Sequence, residues 1–417
     1  MTPRVLVLAT LALASPVFTR AKPALIYDGP TGSVTAAELK AFKACMAEFT
    51  PAASNTNNAW VYGNSGQAIE ALALVYELSG DTDFLNRMIE LSDTALAERN
   101  DLAPPPVGQR IIWTGKISPV WPNRAPDLAD AGYSATENGD IIGHIALTAA
   151  MILRHHELWV QSVPADIHHF GVTYLERAKT YVRQMDFSCQ EFMIPNLVRA
   201  SDRGRLYFPV DATYKNLSAP VAKAGQAVPW NQQFMITNGF QHLAECHELL
   251  GDAPELVKAY DGYVRESLAW FISRAWAQPD SKHGGVLYLW NYSLAEEKHI
   301  EDSNHTDIDL QGLSRAWASG RYGDVLHRSD MDAFANDNVD LMALGEGKWA
   351  GHVNGHSDTG HGSGTNYPRP NFLSMLEFRP DAYASYAAAE VASGHAESDF
   401  NVVSRLLWLK YRLNGKR

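Results

Sequence analysis

One stretch of this sequence is an imperfect copy of another, and that copy constrains the fold more than anything else in it. Leu72-Ala-Leu-Val-Tyr-Glu-Leu-Ser-Gly-Asp81 aligns in register with Leu243-Ala-Glu-Cys-His-Glu-Leu-Leu-Gly-Asp252 at Leu, Ala, Glu, Leu, Gly and Asp. Each copy reads as an amphipathic helix stopped by a glycine, the residue that takes a left-handed C-terminal cap at no steric cost. The aspartate and a short turn then open a second helix. Those second helices carry Phe84, Met88, Leu91 and Ala95 in one case and Tyr260, Val264, Leu268 and Phe271 in the other, at spacings of three and four. The same pattern predicts helix pairs over 139–160 with 168–186, 303–319 with 329–342, and 381–392 with 396–412. Repeated helical hairpins with little between them predict an all-α fold. The expected arrangement is an (α/α) toroid or incomplete barrel of helical hairpins, with a few short strands in loops. In such a ring the loops that precede the inner helices surround one cavity.

The ends and the composition set the broad class. Residues 1–21 read as a signal peptide: Arg4 supplies the positive charge, Val5 to Ala14 the apolar run, and Ser15 to Ala21 a cleavage zone. The run is too short to span a bilayer, so the chain reads as secreted or periplasmic with no membrane partner, and residues 22–417 as a single catalytic domain. A formal charge of −12 disfavours nucleic acid as a partner. The three cysteines, Cys45, Cys189 and Cys246, form no metal or redox motif and allow at most one disulfide. Eleven Trp and seventeen Tyr hint at an aromatic-lined carbohydrate cleft, although a large helical core would use them too.

Chemistry-bearing residues concentrate around 287–313. Tyr288, Trp290 and Tyr292 alternate in an extended segment and fall on one side of it. A helix start follows, capped by Asp302 or Ser303, where Glu301, Asp302, Asn304, His305 and Asp309 gather; His305 and Asp309 share a face four residues apart. A phenol, carboxylates and an imidazole at the mouth of one helix are the parts of an acid/base site. The loops before the other long helices carry amides and aromatics suited to sugar hydroxyls and sugar faces: Asn55–Asn64; Tyr133–Asp140 with Asn138, and His144 just beyond; and Val228–Gln233 with Trp230 and Asn231, then Asn238 and His242 along the helix. Gly351–Pro370 is too rich in glycine for a helix and reads as a lid or subsite rim bearing His352, His356, His361 and Arg369. Its three histidines lack a scaffold such as HExxH to fix them on zinc, and neither a metal nor any other cofactor is expected.

The segments Trp290-Asn-Tyr292, Glu301-Asp-Ser-Asn-His-Thr-Asp-Ile-Asp-Leu-Gln-Gly-Leu313 and Pro229-Trp-Asn-Gln-Gln233 resemble the α/α-toroid uronate-acting polysaccharide lyases of the glucuronan and alginate type. Glucuronyl epimerase-like toroid proteins share the likeness. The resemblance implies a toroid and an acidic polysaccharide substrate. It implies that Tyr292 acts on the sugar while His305 and Asn231 neutralise the uronate carboxylate, with Glu301 in the same helix start and Arg369 as a further cation. The chemistry is consistent with these parts. β-Elimination from a 4-linked uronan removes the C5 proton and expels the C4 oxygen, so it needs donors on the carboxylate, a base and an acid. A tyrosine serves as the base only if nearby cations lower its ordinary pKa of ~10. Trp230 or Trp290 would give a sugar platform, Tyr288 a second candidate phenol, and Asn138, His242 and His356 further substrate contacts. Three other readings stay open: a toroid glycosidase pairing Glu137 with Glu301 or Asp302, a uronyl C5-epimerase, and a non-catalytic glycan-binding protein.

Overall fold

The computed structural model describes residues 32–49, 59–122, 136–210, 224–296 and 298–414. The expected signal peptide over residues 1–21, Asn55–Asn58 and Tyr133–Ala135 lie outside these residues. The longer helices are α1 (Ala36–Ala47), α2 (Ala59–Ser79), α3 (Thr82–Ala97), α4 (Asn138–Arg154), α5 (Tyr174–Ser188), α6 (Trp230–Leu250), α7 (Pro254–Ile272), α8 (Ser303–Ser319), α9 (Arg328–Asn336), α10 (Tyr383–Ser393) and α11 (Phe400–Asn414). Among the described residues the strands form only three short antiparallel pairs. The chain is mainly helical, as the repeat predicts, and no helix of the described residues is long and apolar enough to cross a membrane.

Local chemistry sets the helix boundaries. Thr35 with Glu38 and Thr173 with Glu176 form reciprocal capping boxes at α1 and α5. In the first copy of the repeat Gly80 turns left-handed at φ +67° and Asp81 caps α3. In the second copy Gly251 takes the same φ of +67°, but the aspartate has another task. Asp252 bonds the Nδ1 of His247 at 2.6 Å, and Pro254 opens α7 instead. Tyr76 stands where His247 does, so the first copy has no imidazole to divert its aspartate.

Six elements pack in a closed circuit. α2 lies against α4, α4 against α6, α6 against α8, α8 against the 3-10 segment Pro370–Glu377, that segment against α11, and α11 against α2. The long members run parallel. Gly139 of α4 meets Ile236 of α6, the amide of Asn238 donates to Asp140 at 3.0 Å, and the Cys246 thiol reaches the Ala146 carbonyl at 3.4 Å. Glycine permits this crossing, because a Cβ on Gly139 would stand 2.4 Å from the Ile236 Cα. α3 and α5 back α4, and α7 backs α6. Within this outer layer Arg177 of α5 is fully buried and joins α5 to α3 through Asp93, with Asp166 on its other side at 2.7 Å. The three cysteines are buried, and no disulfide joins them.

Candidate active site

Parallel packing brings the N-termini of α6 and α8 to one end of the molecule, and the segment 290–302 runs between them. The backbone N–H of Trp230, the first residue of α6, donates to the Tyr292 carbonyl at 3.4 Å, while Tyr292 itself donates to His299 and Glu301 to Trp290. Asp302 caps α8: one carboxylate oxygen accepts from the backbone N–H of Asn304 and His305, and the other takes the Nδ1 of His305 at 2.7 Å. An imidazole held this way carries its proton on Nδ1 and keeps Nε2 as an acceptor. Burial works against the Asp302 charge, but His305 and the two backbone N–H groups outweigh it and hold the carboxyl below its usual range.

Tyr292 lies against this dyad, its ring 4.9 Å from that of His305 and 8% exposed. Burial first, then Glu301, Glu296, Asp302 and Asp309, push its phenol well above the ordinary value. The surroundings are therefore the reverse of what a tyrosinate base needs. Tyr292 keeps its proton at neutral pH and is placed to donate it.

Beneath the dyad is a sealed carboxyl pair. Glu301 and Asp309 are both fully buried and in hydrogen-bond contact, and the Trp290 indole donates to Asp309 at 2.8 Å. Burial raises both groups, with Asp309 and Asp302 raising Glu301 further, and Asp309 is pushed up to about 7. One proton shared between them satisfies the contact. Because the folded carboxyl holds its proton more tightly than the unfolded one, its stabilising contribution is complete below about pH 4 and fades as pH rises through about 7. Glu301→Gln combined with Asp309→Asn removes this dependence, whereas Asp309→Asn alone leaves Glu301 buried and still raised. Between pH 4.5 and 8 the wild type should lose roughly 3 kcal/mol more stability than the double variant, by denaturant titration. Parallel losses would show that the pair does not share a proton.

The glycine-rich segment forms a fixed rim rather than a lid. The Gly351 carbonyl accepts from Ser303 N–H at 2.7 Å, Val353 N–H donates to the Glu301 carbonyl, and Trp349 pairs with Thr365. His361 comes within 5.4 Å of the His305 ring, and the Arg369 guanidinium reaches Ser303 Oγ at 3.2 Å. The three histidines do not converge on a metal. His352 is taken by Asp358 at 3.1 Å and by the Ile300 carbonyl, and His356 is exposed on the loop.

The structure thus brings Tyr292, His305, Glu301 and Arg369 together, with Asn231 buried beside them at the start of α6. Glu301 lies behind the site, closed off from a substrate. Several expected contacts need correction. Trp230 and Trp290 are buried in an aromatic cluster with Trp270, Phe271 and Phe334, so neither offers a face to a sugar. Tyr288 shares that side, as its alternation with Trp290 implies, but packs on Phe334 and donates to Asp330 at 3.2 Å. Asn138 is buried and its carbonyl oxygen accepts from the Trp121 backbone at 2.6 Å, a structural joint. His356 stands apart, and His242 lies deeper along α6, in a different cavity. No motif marks Glu70, Gln311, Arg315 and Arg405, which meet inside the circuit; their one signal in the sequence is polar side chains inside apolar helical runs. No family model, curated protein or solved structure matches this chain.

Proposed function

We propose that the chain is a secreted polysaccharide lyase cleaving a 4-linked uronic-acid polymer, glucuronan or alginate, by β-elimination, and that its closed circuit of helices is an (α/α) toroid. The observation that carries the reading is the Asp302–His305 dyad with a protonated Tyr292 against it. His305 takes the C5 proton on Nε2, the C5–H electrons form the C4–C5 double bond, and the C4–O bond breaks. Tyr292 gives its proton to the departing oxygen. Asn231 and Arg369 are the donors for the uronate carboxylate, whose neutralisation makes the C5 proton acidic enough to remove. This reassigns His305 from carboxylate donor to base, because Asp302 orients it and Tyr292 lies among acids.

A paired-carboxylate glycosidase fits less well. Its acid and its base or nucleophile must both reach the substrate, whereas of the expected groups Glu137 and Glu301 are buried and Asp302 is taken up by His305 and by the cap of α8. An epimerase would break the same C5–H bond and return the chain uncut. Incubation with a panel of uronans separates these outcomes: a lyase raises near-ultraviolet absorbance through the new double bond, and a hydrolase, epimerase or binding protein does not. No rise with any uronan would end this reading.

One arrangement favours a second reading. Glu301, Asp302 and His305 each offer a donor atom within 4.8 Å of the others, a spacing that a divalent ion could bridge. Activity is expected to survive a chelator, since amide, guanidinium and imidazole groups suffice for the chemistry. Loss on chelation, restored by one divalent ion, would reassign those three side chains as ligands.

A further inference from the structure

The parallel inner helices enclose a second cavity beyond the dyad. Arg315 follows His305 on α8 by ten residues, about 15 Å along the helix axis. Around it lies a cavity of about 150 Å³ walled by the C-terminal halves of α2, α4, α6 and α8 together with Pro370–Glu377 and α11. That volume takes on the order of ten waters, or one sugar ring. Its floor is polar. Glu70 accepts from Gln311, lies 3.3 Å from Arg315 and 3.6 Å from Arg405, and Arg405 donates to Asn371 at 2.7 Å. The side chains nearest solvent, among them Glu77, Arg154, Trp317 and Trp408, come from the helix ends, so the mouth opens on the face opposite the dyad.

Charge and hydrogen bonding define what fits. Four arginines and four glutamates line the cavity, and they neutralise one another. Arg154 pairs with Glu245 at 2.5 Å, Arg412 with Glu377 at 2.9 Å, and Arg315 and Arg405 with Glu70. The wall therefore gives no net attraction to an anion, and its polar floor suits no hydrocarbon. His242 is 5% exposed and neither ring nitrogen has a hydrogen-bond partner; the nearest carboxylate, Glu245, is 3.6 Å away. Ser314 Oγ is orphaned as well. Burial lowers the His242 pKa, so the neutral ring carries one donor and one acceptor. A buried polar group left unpaired is costly, and here the unpaired groups border an open polar space with indole rings at its mouth.

We propose that this cavity is a binding site for a neutral, hydroxyl-bearing molecule of monosaccharide size, whose hydroxyls complete the bonds of His242 and Ser314 and whose apolar face rests on Trp317. Hydroxyls suit such a wall because each both donates and accepts, and a sugar's C–H face suits the indole. The site is separate from the dyad and does not depend on the reaction assigned there.

The test is calorimetric titration of the full chain with glucose, mannose, galactose and glucuronate at millimolar concentrations. At least one neutral hexose should bind saturably. Trp317→Ala at the rim and the cavity-filling Ser314→Leu should each weaken that binding about tenfold or more, near 1.4 kcal/mol, while His305→Ala leaves it unchanged. Circular dichroism confirms that each variant keeps its fold, and Trp317→Ala, at a part-exposed rim position, serves if Ser314→Leu does not. The proposal fails if no neutral hexose binds, or if binding ignores both changes. It fails equally if glucuronate alone binds and His305→Ala abolishes it, which would place the ligand at the dyad. Uronan cleavage is read separately by absorbance, so a failure here leaves the lyase reading untouched.

Discussion

His305→Ala lowers the rate of uronan cleavage about 10³-fold, and Tyr292→Phe lowers it about as far, with the helical spectrum retained. A positioned acid or base contributes about 10²–10⁴-fold, and each substitution removes one such group while Asp302 keeps its backbone N–H partners at the start of α8. Tyr292→Phe takes away a single oxygen from a ring whose packing on His305 persists. The loss should fall on kcat more than on KM, because the proton transfers occur only in the transition state. Asp302→Asn is a poorer probe, since Asp302 also caps α8. Initial rates by near-ultraviolet absorbance decide the matter. Near wild-type turnover in either variant would remove that residue from the mechanism, and Tyr288 could not replace Tyr292 because it is committed to Phe334 and Asp330.

Gly351→Ala should disrupt both the rim and the site. A Cβ at this position would lie 1.6 Å from the Gly362 carbonyl oxygen and 2.2 Å from its carbon. Those are backbone atoms, so no rotamer change relieves the contact. The Gly351 carbonyl also receives the Ser303 N–H at the first turn of α8, so a shift moves the helix that carries His305. Overpacking of this kind costs about 3 kcal/mol. Denaturant unfolding should show a lower midpoint, and residual activity should fall further than the folded fraction alone requires. Gly360→Ala is the contrast: nothing lies within 4 Å of its added carbon, and only the strain of φ +68° opposes it. Equal effects of the two substitutions would mean that the rim is not fixed at Gly351.

What the sequence disclosed follows from what is local in it. The His305–Asp302 contact spans three residues at a helix start, so spacing alone places the groups together. The helix ends at Gly80 and Gly251 are equally local. The circuit member Pro370–Glu377 went unseen, being too short for a 3.6-residue period and opened by proline. Trp230 and Trp290 looked like sugar platforms because residue type does not encode burial. Only the folding of segment 286–290 between α7 and α9 encloses them. The meeting of Glu70 with Gln311 inside the circuit spans 241 residues, a separation no sequence pattern reports.

The closed circuit also bears on how the molecule comes into being. α2 is among the first of the circuit's elements to leave the ribosome and α11 the last, yet they pack on each other, and Lys410 of α11 bonds Glu38 of α1 across 372 residues. Until α11 arrives, one flank of α2 has no neighbour and its apolar side chains stay wet. Contacts this distant in the chain form slowly, since the entropy of closing the intervening loop must be met before any contact rewards it. The last element of the circuit thus controls when its first acquires a neighbour on that flank, and the circuit stays open until α11 has been made.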